Sequence, residues 1–390
     1  MANADVVAYN IAVVVATLFL LEFGADKFID HTAIVARRTG IPDTIVGLLT
    51  AGGEWEELAV VVASLARHRA SLAIGNIVGS AISNILGAFS LGLLFYEKGK
   101  PIEFDRSSRI YSLLLLVLTT FVAPITYFPK KLIWLVCGAF LVAFFAIYVG
   151  SVGWAISKGN LTAPKDSDDD SSGDDSTDGD STANDNTERT PLNPDGHNRA
   201  AYGATPVESN EHASQSSSSE PVAPPHPTRR RRRSLRYHVF CLFLGFLAIC
   251  LAGYVLSHAA TNITDEFAIS DVLFGIVILA IATTLPEKFV AVISGHRGHV
   301  GILVANTAGS NIFLLSLCAG IVMLDTSGEF ENGNVKASEL GVLWGSTLAF
   351  TLTVWFGGRF CRWIGAGMLL CYVAFMVLEF TVIHSVAGGT

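Results

Sequence analysis

Ten apolar segments, each long enough to cross a lipid bilayer, occur along the chain. A helix needs roughly 20 mostly apolar residues to span the hydrocarbon core. Five of these segments precede a long polar stretch and five follow it. The pattern predicts an all-α polytopic membrane protein with ten transmembrane helices. The segments lie near residues 6–25, 42–65, 71–95, 109–128, 132–156, 237–258, 269–294, 299–324, 339–357 and 361–385.

The polar stretch, residues 158–236, has no apolar periodicity and is rich in Asp, Ser, Gly and Pro. Such a segment cannot build a core, so we expect a disordered linker between a first domain, 1–157, and a second, 237–390. Arg229–Arg233 lie just before the sixth span, and arginines there hold that side in the cytoplasm. Both termini are then expected on the lumenal or extracellular side.

The two groups of spans also share a pattern. Glu57 lies 23 residues before Ser80, and Glu287 lies 23 residues before Ser310, each serine following a glycine. Because five spans is an odd number, the second group enters the membrane in the opposite direction. We therefore expect two inverted five-helix repeats, an architecture typical of transporters.

Composition narrows the functional classes. The chain is 51% hydrophobic, with a mean hydropathy of +0.48, so its environment is the lipid bilayer. The formal net charge is -8, and we expect no nucleic-acid partner. No HExxH motif or nucleophile arrangement occurs in any span, so we expect neither an enzyme nor a bound cofactor.

Glu287 is the first candidate ligand for a cation. A charged side chain at mid-span costs roughly 2.5–3.5 kcal/mol on insertion scales, so it is expected to face a protein interior. Pro286 prevents the usual backbone bond to the carbonyl of Ala282. Thr283 and Thr284 lie one helical turn before Glu287, on its face. Together these are hard oxygen ligands, which suit Na⁺ and Ca²⁺.

The first repeat offers a similar set. Gly53 loosens the helix there, as Pro286 does in the second repeat. Glu54 and Glu57 are three residues apart and share a helical face, although an interfacial position is an alternative for Glu54. Lys288, next to Glu287, would lower the local negative potential if it faced the site, but one step round the helix it is expected to point away.

The following spans add neutral oxygens. Ser80 and Asn84 are four residues apart on the third span, and Ser310 is the matching hydroxyl on the eighth. Small residues at a spacing of four, such as Gly75 with Gly79, predict close helix packing that brings these side chains towards the glutamates.

These residues resemble a known family. ATTLPE, AGSNIF, GNIVGSAISNILG and residues 24–53 look like the alpha-repeat regions of the cation/calcium exchanger superfamily, within the sodium/calcium exchanger membrane-region family. The first repeat is most similar to potassium-dependent sodium/calcium exchangers. In that family the two repeat glutamates bind Na⁺ and Ca²⁺ alternately, which implies Glu57 and Glu287 here. The resemblance implies neutral ligands at Ser80, Asn84, Thr283, Thr284 and Ser310.

The chain departs from the family pattern at three places. Gly53 and Glu54 replace the first hydroxyl pair, Glu56 replaces a proline, and Leu314 replaces an acidic residue. Glu54 is therefore an additional candidate ligand. The coupling ion, the stoichiometry and any potassium dependence stay open.

The sequence thus predicts a secondary antiporter that exchanges Ca²⁺, or a related divalent cation, for Na⁺ or H⁺ by alternating access. The alternative is a transport-inactive cation sensor or scaffold that keeps the fold. The membrane is either the plasma membrane or that of a eukaryotic organelle such as the vacuole, endoplasmic reticulum or Golgi, and the oligomeric state is open.

Overall fold

The computed structural model describes residues 4–39, 54–97, 102–157, 234–267, 269–326, 328, 330 and 334–383. Predictions for Gly53, for the first part of the second span and for nearly all of the linker fall outside these ranges.

The described residues form eleven helices. Three of them end in or contain a wider π-helical turn, at Ser83–Phe89, Phe274–Leu279 and Leu314–Cys318, and a fourth such turn, Glu379–Ile383, follows the last helix. The helices are α1 Ala4–Thr39, α2 Trp55–Ala66, α3 Ala70–Phe95, α4 Arg106–Tyr127, α5 Lys131–Ser157, α6 Leu235–Phe267, α7 Asp271–Thr283, α8 Leu285–His296, α9 Val300–Thr326, α10 Ala337–Phe356 and α11 Cys361–Leu378.

Within the described residues, eight helices are long and apolar enough to cross a membrane, and the pair α7 and α8 forms a ninth span bent by 48°. The predicted all-helical membrane protein is confirmed. The second predicted span, 42–65, is described only in its last part, as α2. Helix α1 is longer than predicted, because it continues past residue 25 to Thr39.

The two halves repeat each other in detail. Helices α2, α3 and α5 recur as α8, α9 and α11 with starting residues 230 positions later, and α1 and α4 recur as α6 and α10 with starting residues 231 positions later. The turn after α2 has His68 at a φ of 59°, and the matching turn after α8 has Gly298 at a φ of 75°. The wider turns Ser83–Phe89 and Leu314–Cys318 also occupy matching places. The two predicted five-helix repeats are therefore present.

Burial divides the helices into an interior and a lipid-facing shell. Helices α3 and α9 are the most buried spans, whereas α1, α5, α6 and α11 are mostly exposed. Large apolar side chains such as Phe19, Phe243 and Trp363 lie on the exposed faces. Apolar exposure of this extent suits a helix surrounded by lipid. Helix α1 packs along α6, where Gly245 lies against the backbone of Phe28.

The two halves meet where α3 crosses α7. A Cβ atom on Gly79 would lie 2.5 Å from the Cα and carbonyl oxygen of Ile276, and one on Gly75 would lie 2.8 Å from the carbonyl oxygen of Val272. Gly275, on α7, faces the backbone of α3 just as closely. The predicted close packing at Gly75 and Gly79 is confirmed, and it brings the polar residues of both halves together.

Candidate cation-binding site

Glu57 is the centre of the buried polar cluster. Its side chain, in the first turn of α2, is fully buried and accepts hydrogen bonds from three residues. Ser80 Oγ donates to Oε1 at 2.8 Å and Asn76 Nδ2 donates to Oε2, both from α3. Thr283 Oγ1, from α7 in the other half, donates to Oε1 at 2.7 Å. One carboxylate is thus held by both repeats.

The local fold explains this convergence. Asn76 and Ser80 are four residues apart on α3, so they lie on one face. The tight turn at His68 folds α3 back along α2, which brings that face over Glu57. The glycine-lined crossing of α3 with α7 then places Thr283 within hydrogen-bonding distance.

In the second half, the helical span is interrupted at Thr284. Pro286 is the second residue of α8, a position where its missing N–H leaves no intrahelical bond unmade. Glu287 lies in the first turn of α8, where the helix dipole favours negative charge. Thr284 Oγ1 donates to the carbonyl of Ala280 at 2.6 Å and lies 2.8 Å from Ser83 Oγ of α3.

A second buried acid, Glu54, lies beside Glu287. Glu54 is 4% exposed and lies beside both Ser310 and Glu287. Glu54 Oε1 and Glu287 Oε2 have no hydrogen-bond partner among the described residues. A buried carboxylate oxygen without a partner is costly. These two atoms are therefore suited to contact a bound cation, and Glu54 lies inside the protein rather than at the interface.

Asn84 adds an amide between the halves. Its Nδ2 donates to Asn311 Oδ1 at 3.2 Å, and Asn311 Nδ2 donates to the carbonyl of Ala81 at 3.1 Å. The amide oxygens of Asn84 and Asn76 are buried and have no hydrogen-bond partner among the described residues. They supply neutral oxygen atoms of the type that Ca²⁺ takes from asparagine.

Lys288 is placed differently from the sequence prediction. Its ammonium points into the bundle, where Nζ donates to Ser83 Oγ at 2.9 Å and to Thr284 Oγ1 at 2.5 Å. The expectation that it points away is wrong, because the helix is bent at Thr284 and Gly87 leaves space on the facing helix. A Cβ atom on Gly87 would lie 3.3 Å from Lys288 Cε.

The structure therefore brings Glu54, Glu57, Ser80, Thr283 and Thr284 into one buried region, with Ser310 and the half-buried Glu287 beside Glu54 and with Asn84 joining α3 to α9. Asn76 was missed as a site residue, although its spacing from Ser80 places it on the same helical face. Ser83 and Tyr372 were also missed. Tyr372, on α11, donates a hydrogen bond from its OH to Ser83 Oγ at 2.9 Å. No local sequence pattern reveals this contact.

The region differs from a compact metal centre. Within the described ranges, no group of three or more His, Cys, Asp or Glu side chains converges as a ready metal-binding cluster. The oxygens come instead from carboxylates together with hydroxyls and amides. That mixture suits hard cations such as Na⁺ and Ca²⁺ rather than soft transition metals.

An ionic cluster at the ends of the spans ties the halves together. Arg69, before α3, contacts Asp271 at 3.2 Å and Asp265 at 3.0 Å, and Thr264 Oγ1 donates to Asp271. Burial alone lowers the pKa of Arg69, but Asp271 and Asp265 outweigh it and raise that pKa. The start of α3 is thereby fixed to the start of α7.

Sequence comparison identifies the family. The family model described as "Sodium/calcium exchanger protein" matches residues 9–153 and 237–381, one match in each half. The chain belongs to the sodium/calcium exchanger family. It is therefore a membrane transporter of the cation/calcium exchanger superfamily and not an enzyme.

Relatives of the exchanger extend along most of its length. It is 25% identical over 373 residues to "Putative antiporter CaxA" of Alkalimonas amylolytica, covering 94% of this chain and 98% of the relative. It is 25% identical to "Inner membrane protein YrbG" of Escherichia coli, covering 82% and 81%. The match to "Sodium/potassium/calcium exchanger 1" of Mus musculus, at 26% identity, covers only 39% of this chain and 14% of the relative.

Solved structures share the fold of the exchanger. A sodium-calcium exchanger, NCX_Mj, soaked with Na⁺ and Sr²⁺, superposes with a TM-score of 0.52 at 19% identity, covering 97% of this chain and 100% of that one. The structure of native YfkE superposes with a TM-score of 0.60 at 14% identity, covering 96% and 92%. The similarity to potassium-dependent exchangers is partial, whereas the membership of the superfamily is confirmed.

Proposed function

We propose that this exchanger moves Ca²⁺, or a related divalent cation, in one direction and Na⁺ or H⁺ in the other by alternating access. The observation that carries the proposal is the set of hydrogen bonds to Glu57. Asn76 and Ser80 come from one repeat and Thr283 from the other, so the central carboxylate lies where the two halves meet. Transporters built from two repeats bind their ions at that place.

Each candidate ligand has a distinct role. Glu57 and Glu287 are the shared carboxylates that bind either the divalent cation or the ions that replace it. Glu54, beside Glu287, adds a third carboxylate. Neutral oxygens complete the coordination, and they come from Ser80, Asn84, Thr283, Thr284 and Ser310.

Exchange follows from the cost of bare carboxylates inside a membrane protein. Unpaired charges there are strongly unfavourable. The site, when it is open to one side of the membrane, therefore releases the divalent cation only when Na⁺ or H⁺ replaces its charge. We propose that α1 and α6 move together past the interior helices to expose the site to one side at a time. The packing of α1 along α6 supports a paired movement. Distances between labels on α1 and α3 that stay equal in Na⁺ and in Ca²⁺ would contradict it.

The topology proposal keeps the linker, 158–236, in the cytoplasm and both termini on the other side, with the repeats as separate domains. In this topology Arg67, Arg69, Lys130 and Lys131 are exceptions to the cytoplasmic bias of basic residues, because they lie on the other side. The contacts of Arg69 with Asp265 and Asp271 balance its charge there and remove one of these objections. Localisation of the tagged protein would show whether it resides in the plasma membrane or in an organelle membrane.

The test is radiolabelled Ca²⁺ uptake into proteoliposomes under an imposed Na⁺ gradient, an H⁺ gradient or none, each with and without K⁺. Glu57→Gln and Glu287→Gln keep the size of each side chain and remove its charge. Glu103→Gln, at an exposed site outside the spans, is the matched control. We expect uptake that requires one gradient, disappears in both site variants and persists in the control.

The other outcomes are distinct. Uptake that needs no gradient would indicate a channel. No uptake of any divalent cation under any gradient would favour the sensor or scaffold, for which the buried Leu314 in place of an acid is the supporting feature. A requirement for K⁺ would extend the partial similarity to potassium-dependent exchangers to their mechanism.

A further inference from the structure

The ammonium group of Lys288 is surrounded by oxygen atoms inside the bundle. Nζ donates to Ser83 Oγ at 2.9 Å, to Thr284 Oγ1 at 2.5 Å and to the carbonyl oxygen of Thr284 at 3.1 Å. An ammonium has three donors. All three are therefore satisfied by two hydroxyls and one carbonyl.

This oxygen cage is assembled by both repeats. Ser83 and Thr284 are fully buried, and their hydroxyls lie 2.8 Å apart. Tyr372 OH donates to Ser83 Oγ at 2.9 Å and fixes its position. Gly87 leaves room for the aliphatic part of Lys288. Hydroxyl and carbonyl oxygens are the ligands that a hard monovalent cation takes, so the ammonium lies where such an ion could bind.

The ammonium also acts on the charge of the site. Lys288 interacts electrostatically with Glu287, Glu57 and Glu54. When ionised, these three carboxylates carry three negative charges, and Lys288 reduces the total to two. Glu56, the other nearby acid, is half-buried like Glu287, but it is not among the carboxylates that act on the ammonium. A net charge of two is balanced by one divalent cation or by two monovalent ones.

We propose that Lys288 is a tethered cation that fills one monovalent-cation position of the site, so that one divalent cation exchanges for two monovalent cations and no net charge crosses the membrane. This inference builds on the exchange proposed above, and it makes Thr284 a ligand of the ammonium instead of a ligand of the transported ions. Removing the ammonium frees the cage of Ser83 and Thr284 for one more monovalent ion. Exchange by such a variant then moves one positive charge per cycle.

The experiment measures the steady-state Ca²⁺ accumulation ratio in proteoliposomes at a fixed Na⁺ or H⁺ gradient. The membrane potential is clamped with valinomycin and K⁺. For one net charge per cycle, 100 mV changes the accumulation ratio by about 50-fold. We expect no change with potential for the wild type, and about this 50-fold change for Lys288→Met. Lys288→Arg keeps the charge and is expected to stay independent of potential.

Lys131→Met, at the exposed start of α5, is the matched control and is expected to behave like the wild type. If Lys288→Met does not fold, Lys288→Gln replaces it. A wild-type accumulation ratio that follows the potential overturns the inference without any variant, as does an active Lys288→Met that ignores the potential. Absence of gradient-driven uptake by the wild type refutes the exchange function itself, so the two failures are distinguishable.

Discussion

Replacing Gly79 by alanine tests whether the crossing of α3 and α7 sets the geometry of the site. The added Cβ atom would lie 2.5 Å from the Cα and carbonyl oxygen of Ile276 and 2.8 Å from the Cβ of Ala280. Two of these three atoms belong to helical backbone and the third to a side chain without rotamers, so none of them can turn aside. Ordinary carbon contacts begin near 3.5 Å, so the helices must separate by about 1 Å.

That separation acts directly on Glu57. Thr283 Oγ1 donates to Glu57 Oε1 at 2.7 Å across the same crossing. An increase of about 1 Å takes the pair beyond hydrogen-bonding distance. A hydrogen bond to a charged group contributes about 1.5–3 kcal/mol. At 1.4 kcal/mol for each tenfold change, the apparent affinity for Ca²⁺ is expected to fall by about 10- to 150-fold.

The assay is Ca²⁺ uptake as a function of Ca²⁺ concentration in proteoliposomes, together with the thermal unfolding midpoint in detergent. Gly341→Ala, on α10, is the matched control, because a Cβ atom there would meet nothing within 4 Å. Gly75→Ala, with a nearest contact of 2.8 Å, is expected to give an intermediate loss. A folded Gly79→Ala protein with an affinity within twofold of the wild type would refute the link between this crossing and the site.

Two further predictions concern charges outside the spans. Arg69→Gln leaves the buried Asp271 without its cation. We expect a loss of about 2–3 kcal/mol in stability, a value reduced because Arg69 is partly exposed to solvent. The uptake per folded protein is expected to change little. Thermal midpoints of Arg69→Gln and the wild type, measured beside uptake, check this. Partial burial alone raises the pKa of Asp105, the residue before α4, but hydrogen bonds from Ser108 outweigh it and lower that pKa. Stability from a depressed carboxyl pKa is present above its unfolded value and is lost as the pH falls through the folded value. Asp105→Ala is therefore expected to cost about 1 kcal/mol near neutral pH, and this difference should shrink below the ordinary Asp pKa; a difference that is constant with pH would contradict it.

Much of the fold was predictable because lipid imposes one strong rule on the chain. A spanning segment must be apolar and helical, so hydropathy located the spans described here to within a few residues at most ends. The recurrence of Glu57 and Glu287 at equal spacing from their serines predicted the repeat, and the helix starts confirm it. The extension of α1 beyond residue 25 was missed because the added turns carry polar side chains. These side chains lower the mean hydropathy, so the segment no longer reads as part of a span.

The candidate site was predictable only along each helix. Spacing placed Ser80 on the glutamate-facing side of α3, but contacts between distant helices left no local signal. Tyr372 reaches Ser83 from the last helix, and the inward direction of Lys288 depends on the bend at Thr284 and on space at Gly87. These features arise from packing between helices far apart in sequence.

The cage around Lys288 also bears on how the two repeats diverged. In the repeat alignment Lys288 stands opposite Leu58, and Thr284 stands opposite Glu54. A protein built from two copies of the first half would gather four carboxylates and no ammonium, whereas two copies of the second half would pair two glutamates with two lysines. Neither assembly has the charge of the present site. After any ancestral duplication the halves have thus become complementary, and each now constrains which substitutions the other can accept.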